Sequence, residues 1–172
     1  MKEITFEDFS KLEGGFLLTK AKELAHWLIK KGRSKSLWPL TFATSCCGIE
    51  MMSFGASKTD PDRAGILFIA DSPRYADAIF VSGTITKKMA NRLLVLYNQM
   101  PNPKYVIAVG ACTISGGLYH HSYSVLLGID KILPVDVYIH GCPPRPEQFL
   151  EAGLKLQELI KNDKIERYKG YI

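Results

Sequence analysis

An open, mostly parallel α/β sheet is the architecture that three observations in this sequence predict. Short apolar, partly β-branched runs recur along the chain, and amphipathic helical patterns lie between them. The 172 residues are 47% hydrophobic and 23% charged, the balance of one ordinary globular core. No repeat, low-complexity tract or second domain interrupts the pattern. Strand and helix in alternation favour parallel strands joined by helical crossovers.

The first element is a helix. From Leu17 to Lys31, the apolar residues Leu17, Leu18, Ala21, Leu24, Ala25, Leu28 and Ile29 recur at three- and four-residue steps, with Lys20, Glu23, Lys30 and Lys31 at other positions. Gly32 is the expected stop, and the polar stretch GRSKS reads as a linker, so residues 1–35 form an N-terminal amphipathic helix and linker ahead of a single α/β domain, residues 36–172. Two uses of that helix stay equally open: covering its own core, or meeting a membrane surface or partner.

Five runs then read as buried strands: WPLTFAT (38–44), GILFIA (65–70), DAIFVSG (77–83), YVIAVG (105–110) and VDVYIHG (135–141). A helix is predicted over Thr86–Gln99, with Met89, Leu93, Leu96 and Tyr97 on one side, and another over Pro146–Lys161, where Pro and Glu occupy the first turn.

Twenty-two Lys and Arg against 17 Asp and Glu give a formal charge of +5, a bias toward anionic surfaces that does not establish a nucleic-acid role. No apolar stretch approaches the ~20 residues that span a bilayer. The start, MKEITFEDF, is acidic where a secretory signal is basic and then apolar, so a cytosol-facing chain with reduced thiols is expected. There is neither a P-loop lysine motif nor a GxGxxG fingerprint, which argues against nucleotide binding. His120 and His121 lack acidic residues at metal-ligand spacing and read as polar surface or interface residues.

The four cysteines carry the chemistry. Cys46 and Cys47 follow the first predicted strand, Cys112 the fourth and Cys142 the fifth. Ligands of open α/β sheets bind beyond the carboxyl ends of the strands, so thiols far apart in sequence are expected to meet at one edge. Four reduced thiols suit structural zinc or an iron-sulfur cluster. Zinc usually takes C-x2-4-C pairs, which are missing here; a cubane cluster offers separate iron corners and accommodates neighbouring cysteines more readily. Cys142 is followed by proline, as at ferredoxin cluster sites, and Gly48, Gly110, Gly116, Gly117 and Gly141 permit close backbone approach. Taken singly, any of these cysteines also reads as a small buried hydrophobe.

The phrases SLWPLTFATSCCGIEMM, SPRYAD, GTITKKMA, YNQMPNPKYVIAVGAC, GGLYHHSYSV and DKILPVDVYIHGCPPRPE strongly resemble the iron-sulfur subunit of respiratory complex I, the NuoB or PSST type, and its relatives in membrane-bound hydrogenase-like complexes. The similarity runs from about residue 36 to 160. It implies a flavodoxin-like fold with helices on both faces and one 4Fe-4S cluster, the last in an electron chain, held by Cys46, Cys47, Cys112 and Cys142. It further implies a quinone at the interface with a hydrogenase-like large subunit, and an acceptor cavity lined by Met51, Met52 and Phe54. A ferredoxin-like iron-sulfur subunit and membrane-arm subunits are the other implied partners, with peripheral membrane contact, no nucleic acid, and a place on the cytoplasmic side of the cell membrane or its organellar equivalent.

Two departures from the family pattern bear on the acceptor. Ile69 to Asp71 replace a familiar Arg-Ala pattern and put a carboxylate near Arg74, and His140 stands where proline is usual, two positions before Cys142. Arg74 and His140 are therefore candidates for tuning the cluster. Two alternatives stand beside the quinone-linked subunit: the small subunit of a membrane-bound hydrogenase or sulfur reductase, and, from another class, a zinc-stabilised α/β binding module. Any nickel would belong to a partner, because the paired CxxC motifs of a nickel site are missing here.

Overall fold

A computed structural model of the chain describes residues 15–67 and 70–162. Four parallel strands, β1 (Pro39–Ala43), β2 (Ala78–Ser82), β3 (Tyr105–Val109) and β4 (Val137–Ile139), lie in the order β1-β2-β3-β4. Every residue of β2 and β3 is buried, which is why these segments read as continuous apolar runs without alternation. Among the described residues five α-helices accompany the sheet: α1 (Gly15–Lys35), α2 (Ser45–Phe54), α3 (Lys87–Gln99), α4 (Gly110–Ser115) and α5 (Pro146–Asn162).

The run at 65–70 departs from expectation. It travels beside β1 in parallel, with Leu37 N–H bonding the Gly65 carbonyl, Leu67 N–H that of Leu37 and Ala70 N–H that of Pro39. Only Ile66 among its described residues forms a bridge, to Leu37, so it is a bent flanking segment and not a regular strand; Phe68 and Ile69 lie outside the described residues. Counted as the second extended segment, it gives the spatial order 2-1-3-4-5, the flavodoxin-like doubly wound arrangement. The chain reverses direction across the sheet between β1 and β2. That is the topological switch point, and it explains why helices occupy both faces.

One face is packed by α2 and α5. Phe54 and Phe149 stack with ring centroids 5.6 Å apart, and the Phe80 ring of β2 lies 6.1 Å from that of Phe149. Along α5, Phe149, Ala152, Gly153, Leu156, Gln157 and Ile160 are buried, the three- and four-residue spacing that its sequence displays. On the other face α3 buries Ala90 and Leu93 against Ile79, Val81, Val106 and Ala108. Thr86 caps α3, its hydroxyl oxygen accepting the Met89 N–H at 3.2 Å. Met89, expected on the core side, is 39% exposed because the buried stripe passes through Ala90.

Gly32 does not end α1, which continues through much of the supposed linker to Lys35. Helical glycine costs about 1 kcal/mol relative to alanine, an amount that tertiary docking readily offsets. Here α1 packs against α5, and Ser34 is buried with its hydroxyl donating to the Lys31 carbonyl at 3.0 Å. The apolar stripe nevertheless faces outward: Leu24, Trp27, Leu28 and Ile29 are each more than half exposed.

Phe149 is fully buried between the two other rings, so Phe149→Ala should destabilise the chain by about 3–5 kcal/mol. Equilibrium urea unfolding measures this, and a loss below about 1 kcal/mol would contradict the packing described.

Candidate metal centre

All four cysteines leave the sheet at its carboxyl edge. β1 runs through Thr44 into α2, whose first turn carries Cys46 and Cys47. Ser45 takes a left-handed conformation, φ +58°, unusual for a residue with a side chain. That single reversal turns the chain from strand to helix within one residue and places the adjacent thiols in unlike surroundings: Cys47 is buried and Cys46 exposed. Cys112 is buried in α4, directly after β3, and Cys142 is exposed after β4.

Close backbone approach joins these segments. Gly110 has φ +83°, and a Cβ built on it would lie 2.6 Å from Cys47 Sγ. The Cys47 sulfur therefore rests against the backbone that introduces Cys112. Gly117 plays the same part for Cys112, whose Sγ would meet an added Cβ at 3.1 Å. Ala111 N–H donates to the Gly141 carbonyl at 2.9 Å, tying the Cys112 segment to the residue before Cys142.

The thiols also sense one another electrically. Burial pushes the Cys47 thiol up to about 12, with further contributions from the charges of Cys46 and Cys112, a hydrogen bond with Cys46 and the charge of Cys142. A thiolate at Cys47 is thus disfavoured until a positive centre compensates it. All four cysteines are free thiols. Among the described residues, no three or more His, Cys, Asp and Glu side chains gather tightly enough to hold a single metal ion.

The other sequence-selected residues distribute unevenly. Met51 and Phe54 are buried at 2% and 1% exposure on the core side of α2, whereas Met52 is 69% exposed on its outer side. Ile49, which no sequence motif singles out, is 71% exposed one turn from Cys46. His140 is exposed and borders a cavity of about 190 Å³ with Tyr138, Gln148, Glu151 and Lys155. Arg74 is exposed in the turn Pro73–Tyr75 that leads into the start of β2, the opposite end of the sheet from the cysteines. The fold brings together the four thiols and leaves Arg74 apart. The His120 and His121 rings are tilted against each other at 44°, with centroids 3.7 Å apart, beside the exposed Leu118, Tyr119 and Tyr123.

In the metal-free chain, iodoacetamide should label exposed Cys46 and Cys142 before buried Cys47 and Cys112. Because the raised Cys47 value keeps that thiol protonated, its labelling should climb about tenfold per pH unit between pH 9 and 11. Peptide mass spectrometry reads the order, and equal rates for all four would refute the burial pattern.

A family profile described as "NADH ubiquinone oxidoreductase, 20 Kd subunit" matches residues 45–156. An NADH-quinone oxidoreductase subunit from Bacteroides thetaiotaomicron is 61% identical over 137 residues, covering 80% of this chain and 70% of that protein. Its namesake from Phocaeicola vulgatus is 54% identical across 95% of this chain and 87% of its own length. Among solved structures, a chain of the membrane-bound sulfane sulfur reductase, an archaeal respiratory membrane complex, superposes with a TM-score of 0.77 at 41% identity, covering 83% of this chain and 80% of that one. The chain belongs to the family of the 20-kDa, NuoB-type subunit of NADH-quinone oxidoreductases, and is a subunit of an oxidoreductase complex.

Proposed function

We propose that the chain is the electron-transfer subunit that carries the terminal 4Fe-4S cluster of a complex I-like, ion-translocating membrane oxidoreductase, with Cys46, Cys47, Cys112 and Cys142 as its ligands. The observation that carries this reading is the Cys47 sulfur seated against the Cβ-less Gly110, in a group of four free thiols at the carboxyl edge of the sheet. A 4Fe-4S cluster bound there supplies one-electron redox chemistry. The chain's own residues hold it: Cys47 and Cys112 from inside the fold, Cys46 and Cys142 from the rim. Glycines 110 and 117 let backbone close around the sulfurs, and the apolar core beneath, with Met51, Phe54 and Phe80, keeps water from below.

Above the rim lies exposed apolar surface. Ile49 and Met52 on α2, with Leu118, Tyr119 and Tyr123 after α4, suit the interface with a hydrogenase-like large subunit. Met52 and Ile49 are the residues of α2 placed to border an acceptor there; Met51 and Phe54 support them from behind. Quinone is the acceptor favoured here, because the relatives at 61% and 54% identity are named for it. The 41% likeness to the sulfane sulfur reductase supports a sulfur compound as the second reading. Electrons would arrive from a ferredoxin-like iron-sulfur subunit.

Among the described residues no helix is long and apolar enough to cross a membrane. The outward stripe of α1, flanked by Lys31, Arg33 and Lys35, suits peripheral contact with a membrane arm on the cytoplasmic side of the membrane or its organellar equivalent. Leu24→Glu combined with Leu28→Glu should leave the circular dichroism of the isolated chain unchanged, since both side chains are already in solvent, and should lower its recovery in the membrane complex several-fold. Full recovery by quantitative immunoblot would separate α1 from assembly.

Reductive titration of the native complex followed by low-temperature EPR, with iron, sulfide, zinc and nickel assayed on the same sample, tests the central reading. A reducible 4Fe-4S signal lost in Cys112→Ser is expected. One zinc per chain with no such signal would overturn it, and nickel in the complex would move the assignment to the hydrogenase branch.

A further inference from the structure

The turn Ser82-Gly83-Thr84, at the end of β2, carries no cysteine yet lies between the two segments that do. On one side, Thr44 directs its hydroxyl to the Ser82 carbonyl oxygen at 2.6 Å and lies 3.0 Å from that of Thr84, so one proton serves two acceptors. Thr44 N–H also donates to the Ser82 carbonyl at 3.0 Å. On the other side, the Thr113 hydroxyl donates to the Gly83 carbonyl at 2.7 Å, and Thr113 is 1% exposed. Gly83 N–H reaches the Val109 carbonyl at 3.4 Å. The fit allows no side chain at the centre: Gly83 has φ +85°, and a Cβ there would lie 1.9 Å from the Thr44 carbonyl oxygen.

Thr44 precedes the tandem cysteines by two residues and Thr113 follows Cys112 by one. The turn is therefore a spacer between the first ligand pair and the third ligand, gripped from each side by a threonine hydroxyl. We propose that Thr113, acting through the Gly83 carbonyl, is a positioning residue that sets the Cys112 sulfur relative to the Cys46–Cys47 pair and thereby tunes the potential of the cluster, with Thr44 completing the clamp. This rests on the cluster reading above.

The physical route is short. Buried hydrogen bonds are strong in a low dielectric, and a carbonyl deprived of its donor turns an uncompensated negative end toward its surroundings. Cluster potentials respond to nearby dipoles and ligand orientation. Without the Thr113 hydroxyl, the Gly83 oxygen keeps its full negative end in the turn between the ligand-bearing segments, so adding an electron to a cluster held by them would be harder and the midpoint should fall.

The test uses the assembled complex carrying Thr113→Val, which keeps the side-chain shape and removes the hydroxyl, and Thr113→Ser, which keeps the hydroxyl and removes the methyl. Thr113→Val is expected to retain full iron and acid-labile sulfide while its midpoint moves to more negative potential and its EPR g-anisotropy changes; Thr113→Ser is expected to restore both. A fully loaded Thr113→Val with wild-type midpoint and line shape overturns the proposal, as does a Thr113→Ser variant shifted as far as the valine. Should the valine variant fail to assemble, Thr113→Ala against Thr113→Ser decides in the same way: a shift confined to alanine supports the clamp, and equal midpoints overturn it. A wild-type complex with no reducible signal, or a signal that survives Cys112→Ser, overturns the cluster reading itself and is seen before any threonine is changed.

Discussion

The contact between the Cys47 sulfur and Gly110 is the constraint on which the rest of the site depends. With any side chain at position 110, α4 could not begin where β3 ends while α2 begins beside it. Both helices start within one residue or two of their strands, and both need a left-handed residue to do so: Ser45 for α2 and Gly110 for α4. Such conformations cost of order 1–3 kcal/mol for a residue with a Cβ. Two tight exits from the carboxyl edge of a parallel sheet bring the cysteine-bearing segments to one place, and the sheet beneath supplies the rigidity that loops alone lack.

That edge is unfavourable ground for a bare thiolate at Cys47. Burial, reinforced by the neighbouring cysteines, pushes the Cys47 thiol up to about 12, so that sulfur holds its proton until something positive arrives. A metal centre that took Cys47 as a ligand would therefore release a proton on binding. The same burial that resists ionisation also lowers the local dielectric, which strengthens the influence of each nearby dipole on whatever occupies the edge.

The sheet and its cysteines are legible in the sequence because both are local signals. A buried parallel strand is a short apolar run, and a cysteine immediately after such a run must lie at its carboxyl edge, whichever neighbours the strand acquires. Sequence and structure part where neighbours decide. The run at 65–70 has strand composition, yet only Ile66 among its described residues bridges to the segment before β1. Propensity marks Gly32 as a stop, while docking on α5 carries the helix past it. Met51 and Met52 are identical in type and adjacent, and only the register of α2 sends one inward and the other outward. Arg74, a candidate for cluster tuning, lies in a turn at the opposite end of the sheet, a separation that only the direction of β2 decides. The grip of Thr44 and Thr113 on the β2 turn leaves no trace in periodicity, since hydroxyl bonds between distant segments have no sequence signature.

The outward face of α1 carries a consequence for the life of the chain in a cell. Leu24, Trp27, Leu28 and Ile29 form a sticky strip on any copy that has not found its neighbours. Chaperones and proteases triage such surfaces, so surplus copies are cleared while incorporated ones are shielded. If α1 is the attachment face proposed above, the abundance of this chain would follow the supply of the surface that covers it, and the helix would double as the tag that counts it.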